Sequence, residues 1–262
     1  MAISNPKSLS EAGVLIAGGT SGVGLASAVK FALAGVPRIV LLARDRQRGE
    51  AAIAELRLQA PAVQAVFVSA DANDYSALQT ACAEARTHLG TVDILVNSTS
   101  SIYTPELLHN TPIEDIQDIL NKQVLPPMYL CRIVLPWMRE QQGGSIINMS
   151  SDAAKFATPG ETVLGGAMAA IVMFSRTLAM EAKRDGIRVN VLTPSLIAGT
   201  PTALHVTKLG FGKKLFEKAA AQAHLGVAEP EDVAELIVFL GSPASARLTG
   251  QAISVNGGIS AG

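Results

Sequence analysis

The sequence contains few of the side chains that most often carry catalytic or metal chemistry. Its 262 residues include 2 cysteines, 4 histidines and 1 tryptophan, and aromatic residues make up only 4% of the chain. Cys82 and Cys131 stand alone, with no CxxC pair and no histidine at metal-ligand spacing. This scarcity argues against a zinc site or a disulfide framework, and it predicts two buried free thiols in a reducing compartment.

Neither sign of charge predominates, and long apolar runs are also missing. The 21 lysines and arginines nearly balance the 22 aspartates and glutamates, giving a formal net charge of -1. This balance provides no electrostatic basis for binding nucleic acid or an anionic membrane. The N-terminus lacks a basic segment followed by an apolar core, and no run of about 18 apolar residues is evident. We therefore expect a cytoplasmic protein without a metal, nucleic-acid or membrane partner.

The sequence does contain an alternation of short apolar runs with helical patterns. The runs are rich in valine and isoleucine and mostly unalternated, as in parallel strands covered on both faces. Seven runs predict strands: 14–19, 38–43, 65–70, 93–98, 145–150, 188–193 and 251–256. Segments 46–59 and 75–89 suit crossover helices, and residues 111–114 resemble a capping box that opens another helix. The pattern predicts one doubly wound, Rossmann-type α/β domain over residues 1–262, with a seven-stranded parallel sheet and helices on both faces.

A glycine-rich loop follows the first predicted strand. Residues 18–24 read GGTSGVG and precede a predicted helix over 25–34. Glycines at such a turn let the backbone approach a pyrophosphate, which free N–H groups of the following helix can bind. The loop therefore predicts a dinucleotide site, and the alternative is a plain tight turn between strand and helix. The candidate cofactor-binding residues here are Gly18, Thr20, Ser21, Gly22 and Val23.

Motifs along nearly the whole chain resemble the short-chain dehydrogenase/reductase family of the classical type. The family's TGxxxGxG pattern is matched by Gly18, Gly22 and Gly24, with an alanine in place of the threonine. Asn97 begins NSTS, which stands where the family has NNAG, and IINMSS, RVNVLTP and LTGQAISVNGG resemble later family segments. The resemblance implies a nicotinamide dinucleotide cofactor, with Asp71 beside the adenine and Asn97 in the cofactor site.

The residues after the second predicted strand bear on the choice between NADP and NAD. Family members that prefer NADP carry an arginine there for the 2′-phosphate, whereas an aspartate at the strand end favours NAD. Arg44, with Arg46 and Arg48 nearby, therefore indicates NADP through charge-assisted pairing. A solvated basic turn at the start of a helix would explain the same arginines.

Three departures from the family pattern concern the nicotinamide half of the site. Thr99 and Ser100 stand where the family has alanine and glycine, and Ser195 replaces the glycine of a proline-glycine loop. Glycine is used where backbone and ligand approach closely. We expect the added side chains to narrow the groove, so that NADP or NAD binds weakly or in a displaced position.

The family's catalytic set of asparagine, serine, tyrosine and lysine is mostly replaced. Ser151 matches the serine, and about thirteen residues later the family's YSASKAA corresponds to LGGAMAA. Leu164 and Met168 thus occupy the tyrosine and lysine positions, and Gln123 occupies the asparagine position. The resemblance makes the tyrosine the proton donor and the lysine the cation that lowers its pKa.

The loss of this pair predicts a loss of turnover. General acid–base catalysis contributes about 10²–10⁴-fold, so we expect negligible hydride transfer. Ser151 is then a remnant, and Leu164 and Met168 are expected to fill an unused cleft with core.

These losses favour a non-catalytic role for the chain. In the family, two helices (here about 113–139 and 160–182) form a dimer bundle, the last strand and helix complete a tetramer, and a flap (here about 196–226) covers the substrate. The leading hypothesis is an inactive structural or regulatory subunit in a hetero-oligomer with an active relative. By analogy, that relative acts on an aromatic or CoA-thioester hydroxyacyl substrate. Two alternatives stay open: an NAD(P)-dependent oxidoreductase with an atypical active site, and a nucleotide-binding module without turnover. His205 and His224 in the flap indicate no chemistry.

Overall fold

A sheet of seven parallel strands runs through the molecule. The computed structural model describes residues 6–208 and 210–261. The strands are β1 (Gly13–Ala17), β2 (Arg38–Ala43), β3 (Gln64–Ser69), β4 (Ile94–Asn97), β5 (Gly144–Met149), β6 (Ile187–Leu192) and β7 (Ala252–Ile253). They lie in the order β3-β2-β1-β4-β5-β6-β7, and every pairing is parallel. The predicted doubly wound, seven-stranded sheet is therefore confirmed.

Helices cover both faces of this sheet. They are α1 (Gly22–Leu33), α2 (Arg46–Gln59), α3 (Tyr75–Leu89), α4 (Ile113–Gln141), α5 (Thr162–Ala182), α6 (Pro201–Val206), α7 (Gly210–Gln222) and α8 (Pro230–Gly241). Successive strand residues point to opposite faces. Leu15 and Ala17 join one core with residues of α3, α4 and α5, whereas Val14 and Ile16 join the other with residues of α1, α2 and α8.

Some element boundaries differ from the prediction. β1 ends at Ala17 because Gly18 turns the chain with a φ of 78°. α1 begins at Gly22, three residues before the predicted start, and β7 comprises only two residues of the predicted 251–256. The periodic apolar pattern locates each element but not its ends, since the ends depend on turn geometry.

The capping box predicted at residues 111–114 is wrong. Pro112 is the N-cap of α4 and makes no side-chain capping bond. Thr111 instead ends the preceding 3-10 turn, and its hydroxyl donates a hydrogen bond of 3.3 Å to the carbonyl oxygen of Leu107. The start of α4 carries Glu114 and Asp115, whose charges favour the positive end of the helix dipole.

The long apolar helix α5 packs one face against the core. An 18-residue window within Thr162–Asp185 has a mean hydropathy of 1.6 and is 39% buried, and the helix is long and apolar enough to cross a membrane, so the expectation that no such run exists is wrong by this criterion. A buried core helix satisfies the same criterion. α5 packs against α4 and β6, and its Ser175 accepts a hydrogen bond of 2.8 Å from Asn148 of β5. The cytoplasmic location remains a prediction.

Both cysteines are free and buried, as predicted. Burial raises the pKa of Cys82 and of Cys131 to about 12, so both remain protonated thiols at neutral pH. Within residues 6–208 and 210–261, no cluster of three or more histidine, cysteine, aspartate or glutamate side chains is placed to hold a metal ion. The reducing compartment remains a prediction.

Candidate functional site

A cleft of about 800 Å³ opens at the carboxyl ends of the central strands. β1 lies between β2 and β4, and ligands of doubly wound folds bind where the strand order reverses in this way. The cleft wall includes every predicted cofactor residue: Gly18, Thr20, Ser21, Gly22, Val23, Arg44, Asp71 and Asn97. It also includes the positions of the predicted catalytic set: Gln123, Ser151, Leu164 and Met168. The fold thus brings all of these residues to one cavity.

The loop between β1 and α1 is tightly packed at two of its glycines. A Cβ on Gly18 would lie 2.4 Å from the carbonyl oxygen of Ser98, and a Cβ on Gly24 would lie 2.2 Å from that of Gly18. The backbone is therefore packed too closely for larger residues. Ser21, the N-cap of α1, makes no side-chain capping bond, so no side chain of Ser21 competes for the first N–H groups. A phosphate group fits this helix N-terminus.

Arg44 and Asp71 face each other at the end of the cleft beside β2. Arg44 Nη1 lies 3.8 Å from Asp71 Oδ2. Burial opposes ionisation of Asp71, but hydrogen bonds from Asn73 and the charges of Arg44 and Lys122 together lower its pKa. Asp71 is therefore an ionised acceptor, which suits an amino-group donor such as adenine.

The three arginines after β2 are not equivalent. Arg44 and Arg48 line the cleft, whereas Arg46 lies outside it along a shallow depression on α2. The carboxylate of Asp45 caps α2 by accepting a hydrogen bond of 3.0 Å from the Arg48 backbone, and it lies 3.6 Å from the Arg48 guanidinium. Two guanidinium groups thus reach this end of the cleft, each close to a carboxylate.

Asn97 belongs to a buried polar network beneath the cleft. Its Nδ2 donates to Asn148 Oδ1 at 2.7 Å, and Asn148 Nδ2 donates to Ser175 Oγ at 2.8 Å. Cys131 Sγ lies 3.5 Å from Asn97 Nδ2. Asn97 Oδ1 is buried and, among the described residues, has no hydrogen-bond partner. The network ties β4, β5 and α5 together, and the sequence pattern did not identify its other members.

Ser151 and Gln123 are both held by the backbone. Ser151 is the N-cap of a 3-10 turn (Asp152–Ala154), and its Oγ accepts a hydrogen bond of 3.2 Å from Ala153 N. Gln123 is buried, and its Nε2 donates to the carbonyl oxygen of Ser101 at 3.0 Å. Because the Ser151 hydroxyl acts as an acceptor here, its own proton can be donated to a ligand oxygen in the cleft.

Leu164 and Met168 lie one turn apart on α5 and form an apolar part of the cleft wall. Met168 is only 6% exposed and packs in a small core with Ile171, Val172 and Val191, against which Leu164 is half-buried. The expectation of core packing is therefore right for Met168. The expectation that the pair fills the cleft is wrong, since both residues line an open cavity.

The residues expected to narrow the nicotinamide half also line the cleft. Thr99, Ser100 and Ser195 all belong to its wall. The same cavity nevertheless extends from the glycine loop to Leu215 and Phe216 of α7. The side chains are thus placed where narrowing was predicted, but they do not divide the cavity.

The predicted flap corresponds to α6, α7 and their connections. The two flap histidines are not part of the cleft wall. His205 Nε2 lies 3.1 Å from Thr104 Oγ1, and His224 is exposed. This segment therefore lines the cleft with residues such as Leu215, Phe216 and Lys218 rather than with an imidazole.

Glu161 is the titratable residue nearest in sequence to Leu164 and Met168, and motif comparison gave it no role. It is the N-cap of α5, its carboxylate makes no capping bond, and it lines the cleft. Burial, with a further contribution from the charge of Asp152, raises the pKa of Glu161 from 4.5 to about 7. The helix N-terminus favours the ionised form by about 0.3–1 kcal/mol, which is less than the roughly 3 kcal/mol that this shift represents. The only feature of the sequence that could have pointed to Glu161 is its position as a single carboxylate at the start of an apolar stretch.

The fold and cleft together define a doubly wound domain with a dinucleotide-type site. A family model described as enoyl-(acyl carrier protein) reductase matches residues 17–260. The chain belongs to the short-chain dehydrogenase/reductase family.

Relatives and solved structures match almost the whole chain. Carbonyl reductase family member 4 of Xenopus tropicalis is 30% identical, covering 92% of this chain and 95% of its own. The 3-oxoacyl-[acyl-carrier-protein] reductase of Chlamydia pneumoniae is also 30% identical, covering 94% and 96%. A short chain oxidoreductase from Pseudomonas aeruginosa PAO1, described as containing an atypical catalytic center and solved with NADPH, is 27% identical, covering 98% and 100% with a TM-score of 0.84.

Proposed function

We propose that the chain is an NADP(H)-dependent oxidoreductase subunit that works without the family's tyrosine–lysine pair. The observation that carries this proposal is the open cleft of about 800 Å³, in which the glycine loop, Arg44, Asp71 and Ser151 share one wall. Burying an aliphatic side chain stabilises a protein by about 1.5–3 kcal/mol, so an unused cleft is readily closed by larger residues. Leu164 and Met168 leave it open.

The residues present fit the nucleotide half of the cofactor better than the nicotinamide half. The glycine loop suits the pyrophosphate, and Arg44 and Arg48 suit a 2′-phosphate through charge-assisted hydrogen bonds. Met168 carries no charge, and Thr99, Ser100 and Ser195 add side chains to the nicotinamide half, so we expect the cofactor to bind weakly there. The Pseudomonas aeruginosa structure supports the combination, because its description joins NADPH with an atypical catalytic center.

The proposed substrate is a carbonyl compound or the corresponding alcohol. A bound reduced nicotinamide supplies a hydride to such a carbonyl carbon. In this proposal the Ser151 hydroxyl, which lines the cleft, donates a hydrogen bond to the carbonyl oxygen. The names of the relatives, a carbonyl reductase and a 3-oxoacyl-[acyl-carrier-protein] reductase, support ketones and 3-oxoacyl thioesters as the first compounds to assay.

A second candidate is the non-catalytic partner subunit that the sequence favours. It is supported by Met173 and Met180, which are 60% and 61% exposed on α5 and form an apolar face that a partner helix would cover. In this case the chain forms a hetero-oligomer with an active relative, and an aromatic or CoA-thioester hydroxyacyl substrate belongs to that relative. The active relative then supplies the catalytic residues, and this chain does not need the tyrosine and lysine.

Calorimetric titration with NADPH and NADH, followed by turnover assays with ketones and 3-oxoacyl thioesters, tests the proposal. We expect saturable NADPH binding and turnover by the isolated chain. Binding without turnover would favour a nucleotide-binding module. Native mass spectrometry that recovers the chain with an active relative would favour the second candidate. Failure to bind either nucleotide would overturn the proposal.

A further inference from the structure

The first turn of α5 lies directly against the turn that carries Ser151. A Cβ on Gly165 would come within 2.8 Å of the carbonyl oxygen of Ala153, so the two backbones are in close contact there. Gly165 N donates a hydrogen bond of 2.6 Å to the carbonyl oxygen of Glu161, so the N-cap residue Glu161 lies one turn before this contact. Glu161 and Ser151 both line the cleft. The carboxyl group is also close enough to the Ser151 turn for the charge of Asp152, the next residue, to act on it.

The flap and an adjoining loop cover the backbone beside Glu161. A Cβ on Gly160 would lie 2.2 Å from the ring of Phe211 on α7. The Tyr103 hydroxyl donates to the carbonyl oxygen of Gly160 at 3.4 Å. These contacts restrict water around the carboxyl group, which disfavours its charged form.

The titratable groups around Glu161 come from three other segments. Asp152, on the 3-10 turn, accepts hydrogen bonds from Asn256 and Ser260, and Tyr103 lies on the loop before α4. From α7, Lys218 lines the same cleft. Burial raises the pKa of the Tyr103 phenol, and the Glu161 charge raises it further. A phenol with a raised pKa transfers protons poorly at neutral pH, so Glu161 is the better acid–base group of the two.

We infer that Glu161 takes the place of the missing tyrosine as proton donor and acceptor for a carbonyl or alcohol oxygen held by Ser151. The inference rests on the proposed function. In reduction, the carboxyl O–H bond of Glu161 breaks and its proton passes to the substrate oxygen, while the carbonyl carbon accepts a hydride from reduced nicotinamide. The product is an alcohol, and the Glu161 carboxylate regains a proton from solvent. In oxidation, the carboxylate accepts the proton of the substrate hydroxyl, and the hydride on the alcohol carbon passes to oxidised nicotinamide.

The experiment compares the wild-type chain with Glu161→Gln, Glu161→Asp and the control Glu181→Gln. Gln matches Glu in shape but does not titrate, Asp keeps an acid, and Glu181 is exposed at the far end of α5. Carbon-13 NMR of glutamate carboxyl groups, without cofactor, measures the protonation of Glu161. NADPH affinity and the pH profile of kcat/KM are measured for each variant.

We expect one carboxyl resonance that titrates near neutral pH in the wild type and is missing from Glu161→Gln. We also expect this variant to lose about 10²–10⁴-fold in kcat/KM, with unchanged NADPH affinity and no fall in rate as the pH rises through neutrality. Glu161→Asp should recover part of the rate, and Glu181→Gln should match the wild type. An active wild type with an equally active Glu161→Gln would overturn the inference alone. A wild type inactive on every carbonyl would remove the proposed function and the inference with it.

Discussion

The carboxylate of Asp152 accepts a hydrogen bond of 2.7 Å from Asn256 Nδ2, which ties the residue after Ser151 to the C-terminal segment. Because Asp152 is held in place and its charge raises the pKa of Glu161, we predict that Asp152→Asn lowers that pKa below its value of about 7. The carboxyl resonance of Glu161 should then titrate at a lower pH. The measurement is the NMR titration described above.

Ser260→Ala is the matched control for this change. It removes the hydrogen bond from Ser260 Oγ to Asp152 but leaves the charge of Asp152 in place. The pKa of Glu161 should therefore move little in this variant. Equal shifts in the two variants would mean that local packing, and not the charge of Asp152, controls Glu161.

Stability should depend on pH through Glu161. Its pKa is raised in the folded chain, from 4.5 to about 7, so between these values the folded state binds more protons than the unfolded state. The stability that Glu161 contributes by binding this proton is complete below its pKa in the unfolded chain. It is lost as the pH rises through its pKa in the folded chain. Relative to wild type, Glu161→Gln should gain up to roughly 3 kcal/mol in unfolding free energy above neutrality. Urea unfolding at about pH 5 and about pH 8 measures the gain, and a constant difference between the variants would contradict it.

The sequence predicted the fold, but it did not point to Glu161 as an acid. The assignment of Leu164 and Met168 to the family's tyrosine and lysine positions stays a prediction. Strands and crossover helices follow from local apolar periodicity, and Leu164 and Met168 follow from their spacing after Ser151. The open cleft could not be predicted, since it depends on how the flap packs over Gly160. The environment of Glu161 was equally hidden, because Asp152 is fixed by Asn256, which lies 104 residues away in sequence. Local pattern carries no information about such contacts.

The glycine loop provides a prediction about stability. Gly18→Ala adds a Cβ 2.4 Å from the carbonyl oxygen of Ser98 at a φ of +78°, so we expect a loss of more than about 1 kcal/mol and weaker NADPH binding. Gly166→Ala is the control, because Gly166 lies within α5 and a Cβ there meets nothing within 4 Å. That change should stabilise the chain by about 0.5–1 kcal/mol. Thermal unfolding measures both, and an unaffected Gly18→Ala would show that the loop is looser than this packing implies.

Arg44 should determine the preference for NADPH. A hydrogen bond to a charged group contributes about 1.5–3 kcal/mol, so Arg44→Gln should weaken NADPH binding by roughly 10- to 100-fold and leave NADH nearly unchanged. Removing the Arg44 charge also takes away one of the effects that lower the pKa of Asp71. Arg46→Gln is the control, since Arg46 lies outside the cleft and should leave both affinities unchanged. Calorimetric titration of the two variants with NADPH and NADH measures all four affinities. Equal losses for NADPH and NADH would mean that Arg44 contacts the part common to both, and equal losses in the two variants would reduce its role to general surface charge.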